Sequence, residues 1–349
     1  MPSLTLPSGH KWAYVDANPG AATALLCLHG FPDLGYGYRH QIGPWARAGF
    51  RVVVPDMLGY GASDAPIDPA QYTTKRLAND LVALLTALGI DRAVVVGHDW
   101  GSFLAGRVAL WHPDRVLALV VMSVPYTPPA RAPVSLEDVA RLAPNLAYQL
   151  FIASPEAAPT IEANLAHFLA LMYSPPSAPV NITPSGALRA ALLSPAPARP
   201  LPTVLTGPAF AAYLAAFRAR GMTGPTNYYR TTRLRYTEES AVSPPLALPP
   251  TLPVLSIYGT RDPSIAPAAL KTQRRFAPNL TEVPLEGVGH WVMVEGTRPE
   301  DAGGLSTDAW AGGGDGEWWK TGTGDGGAVG RAVLAWLVGL EVAGVRVKL

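Results

Sequence analysis

The chain has 349 residues, 48% of them hydrophobic, and a formal net charge of +1. That much apolar material excludes a disordered chain, and so small a charge excess excludes a surface built to attract nucleic acid or an anionic membrane. The single cysteine, Cys27, excludes an internal disulfide, and its place in the apolar run Ala24–Leu28 reads as a small buried hydrophobe.

In chain order, apolar runs predict strands at Ser3–Leu6, Trp12–Asp16, Thr23–Leu28, Arg51–Pro55, Ala93–Gly97 and Val116–Met122. After a long gap, two more follow at Val254–Tyr258 and Thr281–Pro284. Helical patterns fill Tyr38–Ala48, Thr73–Leu88, Trp100–Trp111, Pro267–Phe276 and Ala328–Leu340. In Thr73–Leu88 the leucines 77, 81, 84, 85 and 88 share one face, and Thr73 or Thr74 can cap its start. Strands alternating with helices predict an α/β protein whose mostly parallel sheet is covered on both faces.

Residues 125–250 break this rhythm. They are rich in proline and alanine, lack clear strands, and predict helices at Ser135–Phe151, Pro155–Tyr173 and Pro208–Arg220. Pro175–Pro202 and Val242–Pro253 read as proline-rich connectors. The chain therefore divides into a first core part (1–124), a helical cap or lid (125–250) and a second core part (251–349). The last part carries a glycine-rich insertion at 303–327, read as a flexible surface segment. The insertion's Asp308, Asp315 and Asp325 lack EF-hand spacing, and its Trp310, Trp318 and Trp319 could anchor it. No charged start followed by an apolar stretch suggests a signal peptide, and no apolar run is long enough to span a bilayer. The expected compartment is the cytoplasm. Val347-Lys348-Leu349 resembles a peroxisomal address except at its first position.

The chemistry begins at Gly97-His98-Asp99-Trp100-Gly101, where a strand turns into an apolar helix. This is a G-x-nucleophile-x-G elbow with aspartate as the nucleophile. The turn sets Asp99 beside a helix N-terminus, where N–H groups and the dipole favour a carboxylate. A plain N-cap aspartate is the alternative reading. Upstream, His29-Gly30-Phe31-Pro32-Asp33 follows a strand and can aim the Phe31 N–H at the elbow, with the Trp100 N–H as a second oxyanion donor. Of seven histidines, His290 follows the last strand in Gly287-Val288-Gly289-His290-Trp291 and is the candidate base. Asp262, after the strand Val254–Tyr258, is the candidate orienting acid. The order nucleophile, acid, histidine is the one this kind of elbow uses.

These motifs, with Asp56-Met57-Leu58-Gly59-Tyr60-Gly61-Ala62-Ser63-Asp64 after the fourth strand, resemble the α/β-hydrolase superfamily and, within it, the epoxide hydrolases. The resemblance covers roughly residues 10–300 and the final helix. It implies an eight-stranded, mostly parallel sheet with helices on both faces and a helical cap. It also implies two cap tyrosines that hold and protonate the epoxide oxygen. Asn227-Tyr228-Tyr229-Arg230 puts one role on Tyr229, with Tyr228 as fallback, and Tyr148-Gln149-Leu150-Phe151 puts the other on Tyr148. His29, Pro32, Tyr228 and Trp291 are expected substrate contacts. The implied reaction is attack of Asp99 on a ring carbon, then hydrolysis of the ester by water activated by His290 and Asp262. It requires no metal or organic cofactor, and the sequence offers no metal-ligand cluster. The apolar cap points to a lipophilic small-molecule epoxide as the binding partner. The alternatives are a haloalkane or haloacid dehalogenase, with Trp100 facing a halide, and a non-catalytic ligand-binding protein of the same fold.

Overall fold

Runs of valine, leucine and alanine without internal charge form the centre of the sheet, because only strands buried on both faces can carry them. The computed structural model describes residues 1–194, 200–265, 267–297, 310, 318–320, 324–342 and 345–346. The strands of its main sheet are β1 (Ser3–Thr5), β2 (Lys11–Ala17), β3 (Thr23–Leu28), β4 (Phe50–Pro55), β5 (Ala93–His98), β6 (Val116–Met122), β7 (Val254–Gly259) and β8 (Leu280–Leu285). They form one eight-stranded sheet in the order β1-β2-β4-β3-β5-β6-β7-β8. β1 and β2 run antiparallel to their neighbours, and all other pairings are parallel. The expected fold class is therefore the one found.

Successive strand residues face opposite sides of a sheet, and the core follows that alternation. Leu26, Leu28, Val53, Val95, Leu119 and Val121 pack on one face. Leu25, Cys27, Val52, Val54, Val94, Val96 and Val120 pack on the other. Cys27 is fully buried, as its apolar run predicts. The first face is covered by α2 (Thr74–Ala87) and α3 (Trp100–Trp111), and the second by α1 (Ile42–Arg47), among others. Thr73 caps α2 by accepting from the Arg76 N–H. The helix expected over Tyr38–Ala48 is shorter: a 3₁₀ turn at Gly35–Tyr38 precedes α1. Pro44 lacks an N–H and is tolerated only in a first turn, so the helix begins just before it.

Between β6 and β7 lie α4 (Leu136–Leu142), α5 (Gln149–Ala153), α6 (Ala157–Ala163), α7 (Leu165–Met172), α8 (Ala187–Leu193), α9 (Gly207–Arg220), α10 (Thr223–Asn227) and α11 (Thr232–Val242). The helix expected at Ser135–Phe151 is split at Pro144. The one expected at Pro155–Tyr173 is split at Asn164, whose side chain bonds back to the Thr160 carbonyl at 2.9 Å. The connector Pro175–Pro202 contains α8, a correction: Leu188 and Leu192, one turn apart, are both buried and hold that turn against the core. Beyond β7 come α12 (Pro267–Phe276), α13 (Val292–Glu295) and α14 (Gly327–Gly339). Among the described residues, no helix is long and apolar enough to cross a membrane.

This helical segment docks on loops at the carboxyl ends of β3 and β4. Tyr173 donates to the Pro32 carbonyl at 3.0 Å, Tyr213 donates to Asp33, and Tyr228 donates to the Leu58 carbonyl at 2.9 Å. Most of the glycine-rich insertion, including Asp308 and Asp315, and the residues Val347-Lys348-Leu349 lie outside the described residues. Trp310 packs its ring 5.6 Å from that of Tyr36, and the Trp319 carbonyl accepts from Arg47 at 2.9 Å.

Candidate active site

The sharp passage from β5 to α3 holds Asp99 at φ 53 and ψ −120. A positive φ in a non-glycine residue is strained, and the surroundings enforce it. The Asp99 N–H is bonded to the Met122 carbonyl at 3.1 Å, and its own carbonyl accepts the first helical bond from Phe103 at 3.1 Å. Two glycines make the turn fit. A Cβ on Gly101 would lie 2.0 Å from the Leu28 carbonyl oxygen, and one on Gly30 would lie 2.4 Å from Asp99 Oδ1. Any side chain at 30 would occupy the space of the carboxylate itself.

Asp99 is buried, and the Phe31 N–H donates to its Oδ1 at 2.7 Å. The Trp100 N–H also favours the charged form of this carboxylate. The Phe31–Pro32 peptide is cis. Oδ2 faces His290, whose Nε2 is 3.7 Å away. His290 Nδ1 is 2.9 Å from Asp262 Oδ2, which fixes the N–H on Nδ1 and leaves Nε2 toward Asp99.

Several residues that the sequence reading did not single out hold this arrangement. The Ser264 hydroxyl donates to Asp262 Oδ1 at 2.6 Å, its N–H donates to the same oxygen at 2.8 Å, and its Oγ lies 3.1 Å from His290 Nδ1. The His290 carbonyl accepts from Ser123 Oγ at 2.7 Å and is 2.9 Å from His98 Nε2. Glu295 accepts from the N–H groups of Gly289 and Trp291, each at 2.9 Å, and so clamps the loop on both sides of His290. Asp-Pro-Ser at 262–264 was a legible Asx-turn signal for Ser264. Ser123 and Glu295 carry no such local mark.

Burial pushes the Asp99 carboxyl up, against the pull of His290 and the two N–H groups. Burial acts the same way on Asp262, but His290 and Ser264 outweigh it and hold Asp262 below the ordinary carboxylate value. Burial disfavours the imidazolium of His290, yet Asp262, Asp99 and Glu295 together raise it to about 9.

Tyr148 and Tyr229 reach the same place from α5's N-terminus and the 3₁₀ turn Tyr228–Arg230. Tyr148 and Tyr229 stand close enough for each to influence the other's ionisation. The Tyr229 ring packs edge-on to Phe31 and to Trp100, both at 5.1 Å. Burial, with Asp99 nearby, raises both phenols, so they remain proton donors at neutral pH. Asp99 and Tyr148 line two cavities. One, of about 380 Å³, adds Trp100, Tyr229, Arg107 and Arg235. The other, of about 410 Å³, adds Phe31, Met172, His290 and Trp291.

Three expected substrate contacts lie elsewhere. His29 is buried with both ring nitrogens engaged: Nε2 accepts from the Met57 N–H at 2.9 Å and Nδ1 meets the Gly30 carbonyl at 3.0 Å. Burial drives its pKa down to about 3, so it stays a neutral strut between two turns. Tyr228 spends its hydroxyl on Leu58 and packs 5.7 Å from Tyr60, which turns it from the cavities. Pro32 offers its carbonyl to Tyr173. Trp291 does line a cavity, stacked on Tyr173 at 3.8 Å and donating to the Met172 carbonyl at 2.7 Å.

Residues 23–297 match the model of the alpha/beta hydrolase fold family. The chain is 33% identical over 303 residues to Epoxide hydrolase A of Mycobacterium tuberculosis, covering 82% of this chain and 91% of that one. It is 30% identical over 295 residues to Bifunctional epoxide hydrolase 2 of Rattus norvegicus, covering 84% of this chain. It spans only about half of that relative, 52% of its length. Among solved structures, Epoxide Hydrolase A from Mycobacterium thermoresistibile superposes with a TM-score of 0.78 at 29% identity, covering 98% of both chains.

Proposed function

This chain belongs to the epoxide hydrolase family of the α/β-hydrolase fold, and we propose that it converts an epoxide to a vicinal diol through an alkyl ester on Asp99. The observation that carries this reading is the split environment of one carboxylate. Oδ1 is held by the Phe31 N–H, whereas Oδ2 is turned to His290, with Tyr148 and Tyr229 on the same cavity. In this reading the chain divides into a core of residues 1–124 and 251–349 and a helical cap of residues 125–250.

Oδ2 attacks a ring carbon from the side opposite the C–O bond, which breaks. Tyr148 and Tyr229 hydrogen-bond the oxygen as its charge develops, and one of them delivers the proton. Carboxylates are adequate nucleophiles for displacement at saturated carbon. Esterification removes the negative charge of Asp99, one of the groups that raises His290. The imidazolium therefore acidifies as the ester forms, and its proton replaces the one the tyrosine gave up. Neutral His290, oriented by Asp262, then takes a proton from water, which adds to the ester carbonyl. The oxyanion forms at Oδ1 against the N–H groups of Phe31 and Trp100, where one donor is worth about 3 kcal/mol of barrier. Collapse expels the diol oxygen, which takes the proton left by the added water on the Asp99 carboxyl, and so returns Asp99 as carboxylate with His290 as imidazolium.

A dehalogenase would place halide-binding N–H donors where this cavity sets the phenols of Tyr148 and Tyr229 beside Asp99. The test is His290→Gln incubated with an epoxide substrate. The protein mass should rise by the mass of the substrate, with Asp99→Ala inert in the same assay. Wild-type turnover by His290→Gln would overturn the assignment.

A further inference from the structure

The lobe of about 380 Å³ is not uniformly apolar, contrary to the lipophilic cap the sequence suggested. Where α3 meets α11, Arg107 and Glu239 form a buried two-point ion pair, with Nε–Oε1 at 2.6 Å and Nη2–Oε2 at 3.3 Å. Arg107 also donates to the Thr127 carbonyl at 2.6 Å. One turn earlier on α11, Arg235 lines the same lobe. Its Nε and Nη2 donate only to the hydroxyls of Thr231 and Thr232, at 3.1 and 3.2 Å. Its guanidinium lies 5.3 Å from the Trp100 ring centre and 4.8 Å from that of Phe103. Among the described residues, no carboxylate pairs with it, because both oxygens of Glu239 are committed to Arg107.

The cluster thus holds two cations and one anion beside a cavity. Burial and the neighbouring Arg107 lower the Arg235 pKa to about 10, which leaves it charged at neutral pH. An unpaired, half-buried cation is costly, and a guanidinium with free N–H groups recovers that cost from a planar anion that meets its fork.

We infer that this end of the lobe is an anion subsite in which Arg235 receives a carboxylate carried by the substrate, so that the preferred epoxide is an epoxy acid. The epoxide half of this statement rests on the function proposed above; the anion subsite stands without it. Trp100 sets the spacing, since its indole meets both the Arg235 guanidinium and the Tyr229 ring while its backbone directly follows Asp99. The charged end of the substrate is therefore held about one indole away from the reacting carbon. A monoanion suits the site better than a phosphate dianion, because Glu239 lies beside it.

The test compares an aryl epoxide bearing a para propanoate with its primary amide, which has nearly the same shape and no charge. Wild type should favour the acid at least tenfold in kcat/KM, through KM. The acid-to-amide ratio should collapse in Arg235→Met and be partly kept in Arg235→Lys, a variant that retains the charge if methionine impairs folding. No preference in wild type, or an unchanged ratio in Arg235→Met, overturns the inference. Calorimetric titration with 3-phenylpropanoate and its amide tests the subsite without catalysis. The acid should bind more tightly, and only while Arg235 is present. Arg235-dependent binding of the acid with no epoxide turned over would sink the hydrolase reading and leave the subsite standing. Turnover of epoxides with equal binding of acid and amide would do the reverse.

Discussion

His290 Nε2 stands 3.7 Å from Asp99 Oδ2, close enough for two opposite charges to stabilise each other in a buried site. The same imidazole binds Asp262 through Nδ1 at 2.9 Å. Wedged between carboxylates, it is raised from 6.5 to about 9 although burial opposes the charge. A cation raised on folding stabilises the native state fully below its unfolded value and loses that contribution as the pH climbs through its folded value. Thermal stability should therefore fall between roughly pH 6.5 and 9, and His290→Gln should flatten that part of the curve. An unchanged slope in the variant would contradict the coupling.

Asp262→Asn removes the main electrostatic support of the imidazolium. The acid limb of kcat should move to lower pH as the imidazole becomes easier to deprotonate, while ester hydrolysis slows because the ring loses its orienting partner. Ser264→Ala should also slow ester hydrolysis, more weakly and without a downward move of the acid limb, since it loosens Asp262 by one donor to Oδ1 but leaves its charge and the Nδ1 contact. Stopped-flow rates across pH would separate the two effects; a limb that stays in place in Asp262→Asn rules out this account of the base.

Tyr148→Phe and Tyr229→Phe should each slow alkylation of Asp99 by about 10²-fold, in line with general acid catalysis by one positioned group. The double variant should fall well below either. Single-turnover quench experiments would show this as slow ester formation with little change in ester breakdown. If either tyrosine instead altered only breakdown, it would belong to the second step.

Asp33 is buried under the helical segment, where it accepts from Tyr213, from Tyr173 at 3.3 Å and from the Leu34 N–H at 2.8 Å. Burial outweighs these donors and lifts its pKa to about 6. A carboxyl raised on folding favours the native state when protonated, so its contribution is present below the ordinary 3.8 and lost as pH rises through about 6. Tyr213→Phe should cost about 1–3 kcal/mol at pH 8, where a buried charged acceptor loses a donor, and less at pH 5. Urea unfolding at the two pH values measures it, and an equal deficit at both would refute the role of ionised Asp33.

The sequence by itself determined the parts that depend on local pattern. Buried parallel strands need unbroken apolar runs, so β3 and β6 were legible to the residue. A strand-to-helix elbow needs small residues at 97 and 101, and the spacing Gly97–Gly101 marked Asp99 before any geometry was known. Within the helical segment the same reasoning held less well. Pro144 and Asn164 cut helices that apolar periodicity would have continued, and the leucines of α8 outweighed the prolines around it.

What only the tertiary structure decided is which distant side chains converge. His29 and Trp291 are both neighbours of motif residues, yet one props two turns from within the core and the other lines a cavity. Ser123 and Arg235 carry no local signature of a role, because the His290 carbonyl that Ser123 meets and the Trp100 and Phe103 rings that face Arg235 come from segments far away in the chain. The charge left over where α3 meets α11 exists only because packing commits Glu239 to Arg107. Periodicity fixes which face of an element is buried; the partner across that face is set by how whole elements pack.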